Sequence, residues 1–106
     1  MENGRIVIVA YKPIAGKEKE LDEVMKKHVS ILRTLGLATQ REPVLMRASD
    51  GTVLEVFEWK SREAIQIAHS NPEVLKMWQA FGEVCTFMPI SQLKESQDMF
   101  AEFDPL

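Results

Sequence analysis

The first apolar segment of the chain, residues 5–12, carries hydrophobic side chains at successive positions rather than at every second one. Alternate residues fall into two sets, with Ile6, Ile8 and Ala10 on one side and Val7, Val9 and Tyr11 on the other. A strand that is apolar on both faces is stable where both are covered, so this pattern predicts a central strand. Pro13 has no backbone N–H to donate to a neighbouring strand and ends it.

A helical spacing of apolar positions follows over residues 17–35. The positions recur every three or four residues, at Leu21, Val24, Met25, His28, Ile31, Leu32 and Leu35. This spacing gives one apolar stripe along the element, which is typical of a helix packed against a sheet. Gly36 follows directly, where a glycine commonly ends a helix.

Two apolar-rich segments, residues 44–48 and 53–59, flank the pair Asp50-Gly51. An Asp-Gly pair between such segments predicts a β-hairpin with a two-residue turn. In that register Met46 and Glu55 share one face of the hairpin, together with Val44, Ala48, Val53, Phe57 and Trp59. A carboxylate on an apolar face requires a partner, which makes Glu55 an informative residue.

The second helical region is expected in two pieces, because Asn71-Pro72 interrupts it. Ser61 suits the N-cap of the first piece, and Asn71 followed by Pro72 suits the start of the second. Residues 85–93 are the last strand candidate, and Pro89 within them requires an edge position or a bulge. Residues 94–106 form a tail with two phenylalanines, which indicates that it docks on a surface.

The predicted order strand-helix-strand-strand-helix-strand indicates an α+β fold of the ferredoxin-like βαββαβ type. Its antiparallel sheet is expected to have the strand order 4-1-3-2, with the helices on one face. Every strand also offers apolar side chains to the other face, so we expect a homodimer that packs two sheets face to face as a dimeric α+β barrel. One domain is expected over residues 1–106, with a core of residues 5–93 and a tail, 94–106, docking on its own or the partner barrel.

Composition and charge exclude several classes of function. The chain has 13 Lys and Arg residues against 16 Asp and Glu, and a net charge of -3 makes it a poor nucleic-acid binder. The apolar run at residues 6–11 is too short to cross a membrane or to form the core of a signal peptide. Cys85 is the only cysteine, so no disulfide can form within the chain, and a reducing cytoplasm is the expected location.

Sequence motifs for common cofactors are missing as well. The five glycines lie far apart, so they cannot build a dinucleotide-binding or phosphate-binding loop. His28 and His69 do not have the spacing of a helical zinc site, and no nucleophile elbow is present. We therefore expect no cofactor and no metal, but a pocket that holds a small-molecule ligand or substrate.

Glu55 and His69 are the candidate catalytic residues. Glu55 would be a general base or acid in a closed pocket, and His69 a proton carrier at its mouth, since an imidazole titrates near neutral pH. The candidate ligand-binding residues share the expected pocket and are Trp59, His28, Met46 and Phe57. Structural alternatives stay open for them: a Glu55 paired with a donor, a hydrogen-bonded core histidine at position 28, a local cap at His69 and a core tryptophan at position 59.

Several short motifs resemble the antibiotic biosynthesis monooxygenase domain family. They are Tyr11-Lys12-Pro13, Gly16-Lys17-Glu18, Glu58-Trp59-Lys60-Ser61, Arg62-Glu63-Ala64 and Asn71-Pro72. The combination of Trp59, Ala64, His69 and Pro72 is the most specific part of the resemblance, which covers residues 5–93. It implies the dimeric α+β barrel and a pocket beside Trp59.

The resemblance also implies a small cofactor-independent monooxygenase acting on a planar or enolisable molecule. In that chemistry the protein removes a proton, and an electron-rich carbanion meets oxygen directly. Quinone-forming members have an Asn four residues before the pocket Trp, where this chain has Glu55. Haem-degrading members carry a ligating His where this chain has none, so haem degradation is not expected. The alternative is a non-catalytic ligand-binding or stress-associated dimer of the same fold, because fold alone does not decide function.

Overall fold

Five strands form one antiparallel sheet in residues 3–106, which are the residues that the computed structural model describes. Residues 1 and 2 of the expected domain lie outside that range. The strands are β1 (Arg5–Pro13), β2 (Val44–Arg47), β3 (Val53–Trp59), β4 (Cys85–Met88) and β5 (Asp104–Pro105). Their order is β4-β1-β3-β2-β5, so the four expected strands have the expected order and the tail adds a fifth. β4 is shorter than expected because it ends directly before Pro89, which cannot donate to the sheet.

Three helices connect the strands: α1 (Glu18–Thr34), α2 (Arg62–Ala68) and α3 (Pro72–Val84). The hydroxyl of Ser61 accepts a hydrogen bond from the backbone N–H of Ala64 at 3.0 Å and caps α2. The side chain of Asn71 caps α3 in the same way, and Pro72 occupies its first turn. The helical region is therefore in two pieces, as the sequence predicted. No helix within residues 3–106 is long and apolar enough to cross a membrane.

The main hydrophobic core lies between the helices and one face of the sheet. Leu21 and Leu32 of α1 join Val74 and Phe81 of α3 in one cluster with side chains from β1 and β3. The residues of β3 on this face, followed by their partners on β1, are Val53 with Tyr11, Glu55 with Val9, and Phe57 with Val7. Glu55 therefore enters an otherwise apolar layer.

The loop between β2 and β3 is one residue longer than the sequence indicated. The backbone N–H of Ala48 donates to the carbonyl of Thr52 at 2.8 Å, so residues 49–51 form a three-residue loop. Gly51 closes it with a φ of 92°, a value that suits the left-handed last position of such loops. The predicted two-residue turn is therefore wrong.

This longer loop moves Met46 to the other face of the sheet. Met46 pairs with Leu54, whereas Leu45 pairs with Glu55. Successive side chains of a strand point to opposite faces, so a shift of one residue exchanges the two sets completely. The prediction that Met46 shares a pocket face with Glu55 is wrong, and Leu45 occupies that place.

The sheet face that points away from the helices is termed the outer face; its residues include Ile6, Ile8, Ala10, Val44, Met46, Leu54 and Val56. The C-terminal segment covers part of it, because Leu93 and Phe103 pack in a second cluster with Ala10 and Leu54. β5 also pairs with β2. The rest of the C-terminal segment is less engaged, and Phe100 is 79% exposed.

The remainder of the outer face is apolar and open to solvent. Ile6, Ile8 and Val44 are 57%, 48% and 54% exposed. Ile8 and Val44 both pair with Val56 of β3, so these three side chains form one row across the sheet. The C-terminal segment leaves this row uncovered.

Candidate active site

Glu55 is fully buried and contacts two other buried polar side chains. The hydroxyl of Tyr11 donates to Oε1 of Glu55 at 2.8 Å, and Nδ1 of His28 lies 2.7 Å from the same oxygen. Tyr11 belongs to β1, His28 to α1 and Glu55 to β3, so three elements meet at this point. The structure thus brings two of the predicted residues together, in an arrangement termed the Tyr11–Glu55–His28 network.

His28 lies in the apolar stripe of α1, and its ring is fixed from two sides. Phe57 and Phe81 meet it edge-on, at centroid distances of 5.2 and 5.1 Å. An ionised Glu55 can only accept hydrogen bonds, so Nδ1 of His28 must donate to it. In the neutral imidazole, Nε2 on the opposite side of the ring then keeps its lone pair. A carboxylate that orients a histidine in this way prepares it to accept a proton.

Tyr11 is a site residue that the sequence did not single out. Burial and the adjacent Glu55 carboxylate raise the pKa of its hydroxyl far above the ordinary value, so it remains a hydrogen-bond donor. Its ring stacks on Phe81 with a centroid distance of 5.0 Å. A signal was available in the alternation of β1, because Tyr11 belongs to the same set as Val7 and Val9.

A cavity of about 190 Å³ lies beside this network. Its lining comes from β1, α1, β3, α3 and β4 and consists of Val7, Val9, Tyr11, His28, Phe57, Trp59, Trp78, Phe81 and Phe87. Besides the indole N–H groups of its two tryptophans, Tyr11 and His28 supply the polar side-chain groups of this lining, and none of the nine residues is Asp, Glu, Lys or Arg. Phe87 is 49% exposed, so the cavity reaches solvent beside β4.

Of the other predicted site residues, Trp59 and Phe57 line the cavity and His69 does not. The ring centroids of Trp59 and Phe57 are 5.3 Å apart. His69 is exposed and lies outside the lining, where its Nδ1 is 2.7 Å from the carbonyl oxygen of Ile65. The centroid of its ring lies 5.1 Å from that of Trp78. His69 thus packs against a residue of the cavity lining from outside the cavity, and the structure does not bring it to Glu55.

Two larger hollows lie between α1 and the β2–β3 hairpin, with volumes of about 490 and 300 Å³. Asp22, Arg47 and Val53 line both of them. Nη2 of Arg47 lies 3.4 Å from Oδ1 of Asp22, but the side chains are 38% and 46% exposed. Water screens such a pair strongly, so these hollows offer weaker electrostatic control of a ligand than the cavity beside the buried network.

The described residues give little support to metal or thiol chemistry. Within residues 3–106, no three His, Cys, Asp or Glu side chains are grouped so that they could hold a metal ion. Burial raises the pKa of the Cys85 thiol to about 11, and its Sγ donates to the carbonyl of Phe81 at 3.1 Å. A thiol in this state is a poor nucleophile at neutral pH.

The geometry of the site is suited to moving a proton to or from a planar ligand. Aromatic side chains provide faces and edges for a ring, and His28 provides a nitrogen at the cavity with a carboxylate behind it. No family model matches the chain, and neither a curated protein nor a solved structure matches it. A functional interpretation therefore depends on these contacts.

Proposed function

We propose that the protein is a small cofactor-independent monooxygenase-like enzyme that acts on a planar or enolisable molecule in the 190 Å³ cavity. The observation that carries this proposal is the Tyr11–Glu55–His28 network beside the aromatic lining. Burial of ionisable groups in a core is costly, and replacement of a whole buried polar network by apolar side chains of similar volume often causes no loss of stability. Proton transfer to or from a ligand explains why buried ionisable groups lie beside this cavity.

Proton removal is the step that these residues would perform. A ligand held against Trp59 and Phe57 presents an acidic C–H or O–H group to Nε2 of His28, and the proton moves to that nitrogen. Glu55, 2.7 Å from Nδ1, stabilises the imidazolium that forms, and Tyr11 holds the carboxylate in place. This assigns the base to His28 with Glu55 as its partner, rather than to Glu55 or His69 alone.

The carbanion left by removal of a C–H proton supplies the electrons for oxidation, with dioxygen as the second substrate. The carbon gives an electron pair to dioxygen, a C–O bond forms, and the peroxide takes up the proton from His28. Loss of water then leaves a carbonyl, so a CH₂ group and O₂ become C=O and H₂O. The protein contributes the base and an apolar, largely aromatic cavity that holds the ligand beside it.

We also propose that the chain has the ferredoxin-like fold and assembles as a homodimeric α+β barrel. The strand order β4-β1-β3-β2, with helices on one face, supports the first part. The exposed row of Ile8, Val56 and Val44 supports the second, because an apolar face of this kind is usually an interface. A second copy offers an identical row, so the two faces match in chemistry. The family resemblance and the cytoplasmic location remain predictions.

Oxygen consumption by the purified protein tests the enzymatic proposal. The substrates are a panel of phenols, naphthols and anthrones, and the variants are His28→Gln and Glu55→Gln. We expect turnover by the unaltered protein and a loss of about a hundredfold in each variant, the usual contribution of a general base. His69→Gln is the matched control and should keep its activity. Full turnover by folded His28→Gln and Glu55→Gln proteins would overturn the proposal.

A non-catalytic ligand-binding or stress-associated dimer of the same fold is the second candidate. The hydrogen bonds of Glu55 favour it. Oε1 of Glu55 already has both Tyr11 and His28 as partners, as expected of a network that only stabilises the fold. On this alternative, ring compounds bind the cavity, but no oxygen is consumed in their presence. Binding that is equal in the unaltered protein and in Glu55→Gln would then support the second candidate.

A further inference from the structure

We infer that the cavity takes an uncharged, single-ring hydroxyaromatic molecule of the phenol class, with its hydroxyl at His28. The inference deepens the proposed function and rests on it for the reaction, whereas binding can be measured independently. Three properties of the cavity lead to this ligand: its volume, the charge of its lining and the number of polar atoms left free.

The volume of the cavity matches a ligand with one aromatic ring. A dry apolar cavity of about 150 Å³ in another protein holds one benzene molecule. The cavity beside His28 has about 190 Å³. The excess is little more than the roughly 30 Å³ that a water molecule occupies in the liquid, which is room for a hydroxyl group. A fused second ring needs more space than that and would extend out of the cavity into solvent beside Phe87.

The lining disfavours a charged ligand. No Lys or Arg is among the nine residues of the lining, and the acidic group next to them is Glu55. A carboxylate or phosphate would lose its water on entry without gaining a counter-ion, and it would lie near another anion. A neutral aromatic ring, in contrast, packs well against Trp59, Trp78 and Phe81.

The hydrogen bonds of the network set the position of the ligand hydroxyl. Tyr11 already donates to Glu55, and Nδ1 of His28 is also directed at Glu55. Nε2 of His28 is left to accept a hydrogen bond from a ligand O–H group. On proton transfer the O–H bond breaks, its electron pair stays in the phenolate, and the proton moves to His28 beside Glu55. The para carbon of the phenolate then gives an electron pair to dioxygen, the peroxide takes up the proton from His28, and loss of water with the para hydrogen converts phenol and O₂ into a quinone and H₂O.

Trp78 is the residue that sets the size limit. It lines the cavity from α3, is half-buried, and contacts His69 on its other side. It makes no hydrogen bond to Glu55, so a smaller side chain at this position enlarges the cavity without removing any group of the Tyr11–Glu55–His28 network.

Calorimetric titration of the full chain with phenol, benzoate and 1-naphthol tests the inference. We expect phenol to bind about tenfold or more tightly than either of the other two compounds. His28→Gln should weaken phenol binding, and Trp78→Ala should tighten 1-naphthol binding by about tenfold. Trp78→Phe, which removes fewer atoms, repeats the measurement should Trp78→Ala fail to fold. Leu75→Ala, at a 46% exposed position on the same helix, is the control and should change no affinity.

The outcomes separate the ligand class from the reaction. Benzoate or 1-naphthol binding as tightly as phenol, or no binding of phenol, would overturn the ligand class, while oxygen consumption that depends on His28 would still support the proposed function. Selective phenol binding without oxygen consumption by any compound of the panel would support the ligand class and overturn the enzymatic function. A 1-naphthol affinity that is unchanged in both Trp78 variants would overturn the size limit.

Discussion

Nδ1 of His28 lies 2.7 Å from Oε1 of Glu55, although the two residues are 27 positions apart in the chain. They meet because the apolar stripe of α1 packs over the helix-side face of β3. Both side chains are almost completely buried. The attraction within a buried pair repays its desolvation only if the hydrogen bonds are complete, so each partner depends on the other.

Replacement of Glu55 separates the effect of its hydrogen bonds from that of its volume. Glu55→Leu fills similar space but leaves Tyr11 and His28 without an acceptor, so we expect a loss of about 3 kcal/mol in the free energy of unfolding. Glu55→Gln keeps an oxygen that can accept from Tyr11 and should cost about 1 kcal/mol. Urea denaturation followed by tryptophan fluorescence measures both values. A Glu55→Leu protein as stable as the original would contradict a stabilising role for the network.

Tyr11 is the only tyrosine of the chain, so tyrosinate absorbance reports on it alone. Because burial and Glu55 raise its pKa, the folded protein should show no tyrosinate at pH values where an exposed tyrosine is ionised. The absorbance should develop together with unfolding in an alkaline titration. A tyrosinate midpoint near pH 10 in protein that is still folded would contradict this expectation.

The same pKa shift makes stability depend on pH in the alkaline range. Above a pH of about 10 the unfolded chain releases the Tyr11 proton while the folded chain keeps it. The stabilisation from this group is therefore complete below about pH 10 and falls as pH rises, by up to about 1.4 kcal/mol per pH unit. Tyr11→Phe should lack this component, so urea denaturation of the two proteins between pH 8 and 11 measures it as a difference.

Gly51 and Gly82 offer a matched pair of glycine substitutions with opposite expected effects. No atom lies within 4 Å of a Cβ built at either position, so neither substitution causes a clash. Gly51 has a φ of 92°, and Gly51→Ala should lose about 1 kcal/mol of stability through backbone strain. Gly82 lies in α3, and Gly82→Ala should gain up to about 1 kcal/mol. Thermal denaturation measures the change in stability of each variant. Changes of the same sign would contradict the role of the positive φ at Gly51.

The exposed row on the outer face gives a direct test of dimer formation. Ile8→Lys places a charge at one end of the row, so we expect the dimer to become a monomer because the charge would be buried at the interface. Ile67→Lys, at a 46% exposed position on α2, is the control and should stay dimeric. Size exclusion with light scattering measures both masses. A monomeric unaltered protein at micromolar concentration would count against the proposed assembly.

The elements that the sequence predicted well are those decided by neighbouring residues. The spacing of apolar positions located α1, because each position in a helix has a fixed direction relative to the core. Ser61 and Asn71-Pro72 located the starts of α2 and α3, because capping involves side chains and backbone groups within one turn.

The hairpin register and the third member of the network depend on longer-range choices. Asp50-Gly51 suits loops of two or three residues, and the hydrogen bond between Ala48 and Thr52 selects the longer one. The extra residue in this loop is the reason that a two-residue turn puts Met46 on the wrong face of the sheet. The sequence did suggest that His28 approaches Glu55, but Tyr11 joins them only through the pairing of β1 with β3.

The two outermost strands, β4 and β5, also affect how copies of this chain behave in concentrated solution. β5 is two residues long, and β4 has four residues and stops at Pro89, so neither presents a long row of free backbone groups. Without β5, the backbone of β2 would be open to hydrogen bonding by strands of other molecules, next to the exposed side chain of Val44. The C-terminal segment therefore protects the β2 edge of the sheet from pairing with other molecules.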